Sequence, residues 1–434
     1  MSTTHASRLA TGDIDLSFGE NGYLMLPQLG ELRIRTPFVH ALPNGNLLVA
    51  AQTSIANGTS SFALFKFTTD GQPASDFGNG DGYVLGNYPF MEYSEGQALT
   101  VQSAGGAGKI LMLGCARNNK HDQLDILMLS RFHADGILDT SFGSSGHVDL
   151  FPFKHLWTAY TFNSGSVTQA QDRIYVSGTF HSIDFPEEHR GIVFCLNLDG
   201  SLDFTFNGTG YLEIGAHGIP TTIKALAIQP SGALVAVGSM RTVSGLHGLF
   251  ATILPDGQLD TSFGDAGSGL LLFQAIGLDS TLNTLVIDDE QRLVGMGLVR
   301  EASPTSTLAM VYRVTCDGLP DLSFNHGNPV LTTLPASILG WQAGTITPLG
   351  QLFALGSGKV SDGINSQLVI ARYRADGTLD GSFGSGGFVT HNLSPEAHLF
   401  LVQQPNTNRL IAAMDQPGLL GRRALLLGLH GTAE

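Results

Sequence analysis

Seven stretches of this 434-residue chain follow one pattern: an Asp-Gly turn, an aliphatic residue, a second Asp, then a Phe followed by glycines. They read GDIDLSFGENGYLML (12–26), DGQPASDFGNGDGYVL (70–85), DGILDTSFGSSGHVDLF (135–151) and DGSLDFTFNGTGYLEI (199–214), then DGQLDTSFGDAGSGLLLF (256–273), DGLPDLSFNHGNPVL (317–331) and DGTLDGSFGSGGFVT (376–390). Their phenylalanines, Phe18, Phe77, Phe142, Phe206, Phe263, Phe324 and Phe383, stand 59, 65, 64, 57, 61 and 59 residues apart. A period of this kind marks a chain built from repeated supersecondary units rather than from unrelated domains.

Three further apolar segments lie between successive copies. Two form a hairpin around a polar turn, as in FVHALPNGNLLVAA, KALAIQPSGALVAVG and GTITPLGQLFALG. The third is FALFKF, DILMLSRF, GIVFCLNL, LFATIL, LAMVYRV, LVIARYR or ALLLGL. All are short, rich in Val, Ile, Leu, Phe and Tyr, and bounded by Gly, Asn, Asp or Pro, which reads as strand. No helical pattern alternates with them. Four strands per unit and seven units predict an all-β fold, a seven-bladed β-propeller with four antiparallel strands per blade. Glycine, at 55 of 434 residues, agrees with a chain so rich in turns.

The expected blades are 38–87, 96–151, 164–214, 223–273, 282–334, 343–393 and 397–430, the last completed by 22–26, so that 1–434 forms one propeller domain. The final unit lacks its fourth strand, and the N-terminal GYLML (22–26) is a strand without a unit. Pairing the two closes the ring and leaves no bare edge between first and last blades.

The DGxLDxSFGxxG unit, with this period, resembles the delta-60 repeat, a bacterial β-propeller repeat, over essentially the whole chain. The resemblance implies the fold and no settled activity. Two copies depart from the pattern: the first reads Gly12-Asp13 in place of Asp-Gly, and the second has Ala74 where the second Asp belongs.

Each motif residue has a mechanical reading. Asp-Gly supplies a tight turn in which Gly takes positive φ. The second Asp (Asp15, Asp139, Asp203, Asp260, Asp321 or Asp380) is placed to accept backbone N–H groups just ahead of it. The residue after Phe is Gly in five copies and Asn in two, Asn207 and Asn325, so that position calls for left-handed backbone. The Phe is expected to fill the gap between blades. A Ca²⁺ loop is the competing reading, but calcium takes about six to eight oxygens. One motif offers two carboxylates, and Ala74 removes one of them. The motif is therefore read as architecture.

With 22 basic and 37 acidic residues the formal charge is −15, and no basic cluster interrupts the chain. This argues against a nucleic-acid partner. No apolar run is long enough for a transmembrane helix. The opening MSTTHASRLATGDIDLSF lacks a basic and then apolar leader, so residence in the cytoplasm, or release by a route without a signal peptide, is expected. Cys115, Cys195 and Cys316 are far apart and odd in number, which suits reduced thiols.

In a meander, alternate connections emerge on opposite faces. The hairpin turn and the motif share one face and repeat; the loops from second to third strand and the crossovers between blades share the other and diverge. Divergence on one face marks it for function. Two of its loops are chemically dense: PFKHLWTAYTF (152–162), with His155, Trp157 and Tyr160, and HSIDFPEEHRG (181–191), with His181, Asp184, Glu187, Glu188 and His189. Tyr88, Tyr93 and Trp341 are expected on the same face. Aromatic rings beside amide and carboxylate groups suit a binding surface. Imidazole with carboxylate also suits a divalent metal. No GxSxG, GxxxxGK[ST] or HExxH motif is present, and no catalytic residue is assigned. The expectation is a non-enzymatic binding or scaffold protein that engages a glycan or a protein, without cofactor. The alternative is a metal-dependent hydrolase or lyase at the mouth of the axial channel.

Overall fold

The computed structural model describes residues 11–29, 32–54, 58–102, 108–118, 125–150, 157–159, 165–182, 187–215, 218–264, 267–300, 307–333, 337–359, 366–395, 398–418 and 421–431. Seven antiparallel sheets form the seven blades of a propeller. Blade 1 runs from its inner strand Arg33–Ala41 through Leu47–Ser54 and Ser60–Phe67 to the outer Tyr83–Gly86. The inner strands of blades 2, 4, 5, 6 and 7 are Tyr93–Gln102, Thr221–Ile228, Asp279–Ile287, Ser337–Ile346 and Phe400–Gln403. In blade 3 the inner position is shared by Trp157–Ala159 and Gly165–Ala170, which both pair with Arg173–Ser182. Most inner strands begin a few residues before the apolar runs that announce them. Their first halves are polar and irregular in register, so hydropathy marks only their second halves.

The ring closes as expected. Tyr23–Met25 is the outer strand of blade 7, with Tyr23, Leu24 and Met25 opposite Leu427, Leu426 and Leu425. Backbone bonds continue the seam, from Gly12 N–H to His430 O (2.7 Å) and from Asp15 N–H to Gly428 O (2.9 Å). Arg409 meets Asp15 there at 2.6 Å.

Among the described residues the core is not central but divided into seven hydrophobic clusters, each between two adjacent blades. The motif accounts for much of this. All seven motif phenylalanines are at most 1 % exposed. Each ring lies against the turn glycine of the next unit: Phe18 on Gly71, Phe77 on Gly136, Phe142 on Gly200, Phe206 on Gly257, Phe263 on Gly318, Phe324 on Gly377 and Phe383 on Gly12. A β-carbon on any of these glycines would come within 3.2 Å of the ring, and all have φ between +85° and +93°. Gly12 thus holds the glycine place of the first copy, with Thr11 in place of Asp, a pairing that Gly12-Asp13 disguises in the sequence.

The second Asp of the motif works as an Asx turn. Its Oδ1 accepts the N–H two residues on, from Asp15 to Ser17 at 3.0 Å to Asp380 to Ser382 at 3.1 Å. In five copies its other oxygen takes an arginine, as with Arg131 on Asp139 at 2.8 Å and Arg313 on Asp321 at 2.7 Å. The guanidiniums of Arg131 and Arg313 then lie 4.5 Å over the motif Phe. In blade 1, where Ala74 replaces the Asp, Lys66 pairs with Asp76 at 2.7 Å instead. The motif carboxylates are therefore spent on arginine, Ser or Thr and backbone. The residue after Phe has φ between +45° and +72° in every copy, Asn207 and Asn325 included.

Candidate functional site at the axis

The innermost strands surround the propeller axis, and they carry a bulge. Register shifts fall between Gly96 and Ala98, Ile223 and Ala225, Leu282 and Thr284, and Trp341 and Ala343. The extra residue in each case is long and polar: Gln97, Lys224, Asn283 and Gln342. A bulge re-aims its side chain away from the ladder, here into the channel. These four residues, with Phe38, Gly165 and Phe400 from the other blades, line one cavity of about 370 Å³. Leu339 and His398, also in its wall, precede their strands' central residues. Because every inner strand runs toward the repetitive face, the cavity occupies the half of the channel nearer the divergent face.

The wall has two sides. Phe38 and Phe400, from blades 1 and 7, pack with centroids 4.3 Å apart, and His398 stands 6.4 Å from Phe38. The amides and Lys224 come from blades 2, 4, 5 and 6. Asn283 donates to the Trp341 carbonyl at 2.8 Å and Gln342 donates to Ser357 at 3.3 Å, which fixes both amides. Burial pushes Lys224 down to about 8. His398 is pushed down to about 4 by burial, with Arg422 and Lys224 adding to it. Lys224 and His398, from blades 4 and 7, both line the cavity.

Acidic groups gather on the blade 2 side. Burial, then the Asp125 carboxylate, pushes Glu95 up to about 7, against Arg117 and Arg35. Glu95 accepts a hydrogen bond from Gln52 at 2.6 Å, and Arg117 holds Asp125 at 2.7 and 3.0 Å.

The residues singled out from the sequence divide into groups. His181 and His189 are brought together as a cross-strand pair in blade 3, with ring centroids 6.2 Å apart. Burial lowers both, and His189 is lowered further by the charges of His181 and Lys224. Glu187 is exposed and Glu188 partly buried. The Trp157 backbone is strand, opposite Ser182, rather than part of a loop. His155, Tyr160 and Asp184 lie outside the described residues.

Trp341 is a correction. It has no exposed surface, lies in the cluster between blades 5 and 6, and donates from Nε1 to the Tyr373 hydroxyl at 3.0 Å. Its neighbour across the pair is Gly356, whose missing side chain makes room for the indole. It is core and not a platform. Tyr88, 1 % exposed and seated over Gly114, is buried for the same reason. Among the described residues no three His, Cys, Asp or Glu side chains cluster closely enough to hold a metal ion, and no helix is long and apolar enough to cross a membrane.

The fold and its axial cavity define a seven-bladed β-propeller with a small polar site at the axis. Two of its units, residues 42–77 and 350–383, match a family described as a domain of unknown function (DUF5122), beta-propeller. No curated protein matches the chain. Among solved structures it is similar to the polysaccharide lyase Uly1, at 9% identity and a TM-score of 0.50, over 100% of this chain and 94% of that one. It is also similar to a protein of unknown function from Dyadobacter fermentans (11% identity, TM-score 0.45, 94% and 98% covered). A third is the GH93 alpha-L-arabinofuranosidase of Fusarium graminearum with arabinobiose (10% identity, TM-score 0.48, 81% and 97% covered). At 9% identity the likeness to the lyase shows a shared propeller fold.

Proposed function

We propose that this protein binds a saccharide in the axial cavity. The observation that carries the reading is the two-sided wall, with the Phe38–Phe400 pair on one side and Gln97, Asn283, Gln342 and Lys224 elsewhere around the ring. A pyranose has an apolar face that stacks on rings and a rim of hydroxyls that pair with amides. The volume, about 370 Å³, falls in the lower part of the range for small-molecule sites. It suits a chain end better than a long segment. That a protein sharing the fold is a polysaccharide lyase supports the ligand class.

A screen of the purified protein against a glycan array tests this, with Phe400→Ala and Gln342→Ala as axial variants and Trp157→Ala as a control for the divergent loops. Binding abolished by the axial variants and kept by Trp157→Ala supports the cavity. Loss only with Trp157→Ala moves the site to the loops of blade 3. A blank array overturns the reading and favours a protein partner.

A second reading is catalytic. Glu95, pushed up to about 7 beside Asp125 and two positions from Gln97, has the proton affinity that general acid–base chemistry uses near neutrality. New reducing ends or unsaturated products from a polysaccharide, abolished by Glu95→Gln, would favour it. Repeating the assay with a chelator tests the metal-dependent form.

A further inference from the structure

We propose that the saccharide is the end of a longer chain, which leaves the axial cavity over blade 2 and stacks on Phe90; this rests on the saccharide reading above. Phe90 stands at the apex of the crossover between blades 1 and 2 and is 95 % exposed. Met91 N–H donates to the Tyr88 carbonyl at 3.1 Å, which closes a four-residue turn with Pro89 second and Phe90 third. Phe90 has a φ of +64° there, a conformation that favours Gly or Asn at this place of a turn. The turn is clamped from beneath. Tyr88 N–H donates to Ser94 Oγ at 3.0 Å, Ser94 N–H donates to Ser60 Oγ at 3.2 Å, and Tyr88 and Ser94 are both buried. A large apolar ring is thus held firmly in the open, in a backbone state that costs free energy. Strain and exposure together point to a contact made with a ligand.

One continuous segment leads from this ring to the cavity. Phe90 precedes Gln97, which lines the cavity, by seven residues, and these span no more than about 23 Å. An oligosaccharide of a few units covers that distance. Tyr93 lies between them in the chain, partly buried, with the Arg117 guanidinium 5.9 Å from its ring, and adds a second aromatic group to the same rise. The crossover between blades 4 and 5 has the same build. Ala275 N–H donates to the buried Ser280 hydroxyl at 3.0 Å, and Ile276, seven residues before Asn283, has a φ of +48° and is 71 % exposed. An aliphatic apex gives a pyranose no ring to stack on, so of these two crossovers only that of blade 2 carries the chain outward. Because the turn is preset, little ordering is required when the sugar binds.

The test uses the full chain and oligosaccharide ladders, monomer to hexamer, from cellulose, xylan, arabinan and polygalacturonan, measured by titration calorimetry. In a ladder that binds, the hexamer should bind about tenfold more tightly than the dimer. Phe90→Gly should lose that gain and keep the dimer affinity, whereas Phe90→Trp and Ile276→Gly should keep the gain. Because Gly suits the turn, Phe90→Gly should also hold or raise the melting temperature. A fall in melting temperature means a ring packed on the protein, and overturns the proposal. So does a hexamer gain that survives Phe90→Gly, or a wild-type affinity that does not grow with length; either leaves the saccharide site standing. No binding by any ladder overturns both.

Discussion

Arg409 and Asp15, 394 residues apart in the chain, form a hydrogen-bonded ion pair at 2.6 Å on the seam where the propeller closes. Arg409 also donates to the Ser17 hydroxyl at 2.8 Å and lies 5.2 Å over the Phe18 ring, so one guanidinium holds the N-terminal motif to the last blade. Blades 2, 5 and 6 repeat the arrangement with Arg131, Arg313 and Arg372, but there arginine and motif are near neighbours in sequence.

Removing Asp15 strands a buried guanidinium. Asp15→Ala should cost about 3–5 kcal/mol, read from urea unfolding. Deleting residues 1–27 should go further, because Gly421–His430 becomes an open edge, and the product should unfold or aggregate. A truncated chain with unchanged melting temperature would defeat the closure.

Phe142 and Gly200 meet between blades 2 and 3, where a β-carbon on Gly200 would lie 2.9 Å from the ring and its φ is +91°. Phe142→Ala should cost about 3–5 kcal/mol by opening a cavity. Gly200→Ala should cost more than about 1 kcal/mol through strain and collision. Losses below these in both variants would remove the motif's role as blade spacer.

Acid should unfold the protein through its motif carboxylates. Burial raises Asp15, Asp139, Asp203, Asp321 and Asp380, but hydroxyl, arginine or lysine partners outweigh it and hold each below the ordinary carboxylate range. A carboxylate with a lowered folded value stabilises fully above its unfolded pKa, about 4, and loses that contribution as pH falls through the folded value. The urea midpoint should hold from about pH 6 to 5 and drop steadily below about 4. A midpoint constant down to about pH 3 contradicts the ladder of pairs.

Trp341→Phe should destabilise by about 1–3 kcal/mol, since the Tyr373 hydroxyl loses its indole partner in the core. Ligand binding by the folded variant should be unchanged. Lost binding with normal stability would return Trp341 to the site.

Much of the fold is readable along the chain. The seven motifs, the strand count and the positive φ after each Phe follow from residues a few positions apart, where Gly or Asn and an Asx turn leave the backbone little choice. Tyr88 and Trp341 misled because connection counting put them on the divergent face. Their burial depends on Gly114 and Gly356 in the neighbouring strand, which no local pattern pairs with them. The axial residues left a visible trace: Gln97-Ala98, Lys224-Ala225, Asn283-Thr284 and Gln342-Ala343 are each a long polar residue followed by a small one. Simple alternation hides it, because a bulge shifts the register by one residue and moves the polar side chain from the blade face to the channel.

The sequence by itself determined the repeat, the number of strands and the chemistry of every motif turn, all set by short-range sterics and hydrogen bonding. Tertiary structure decided which side chains meet: Asp15 with Arg409, Phe383 with Gly12, and the bulged residues of separate blades around one cavity. Those encounters depend on ring closure, which sums the orientations of seven blades and is recorded in none of them alone.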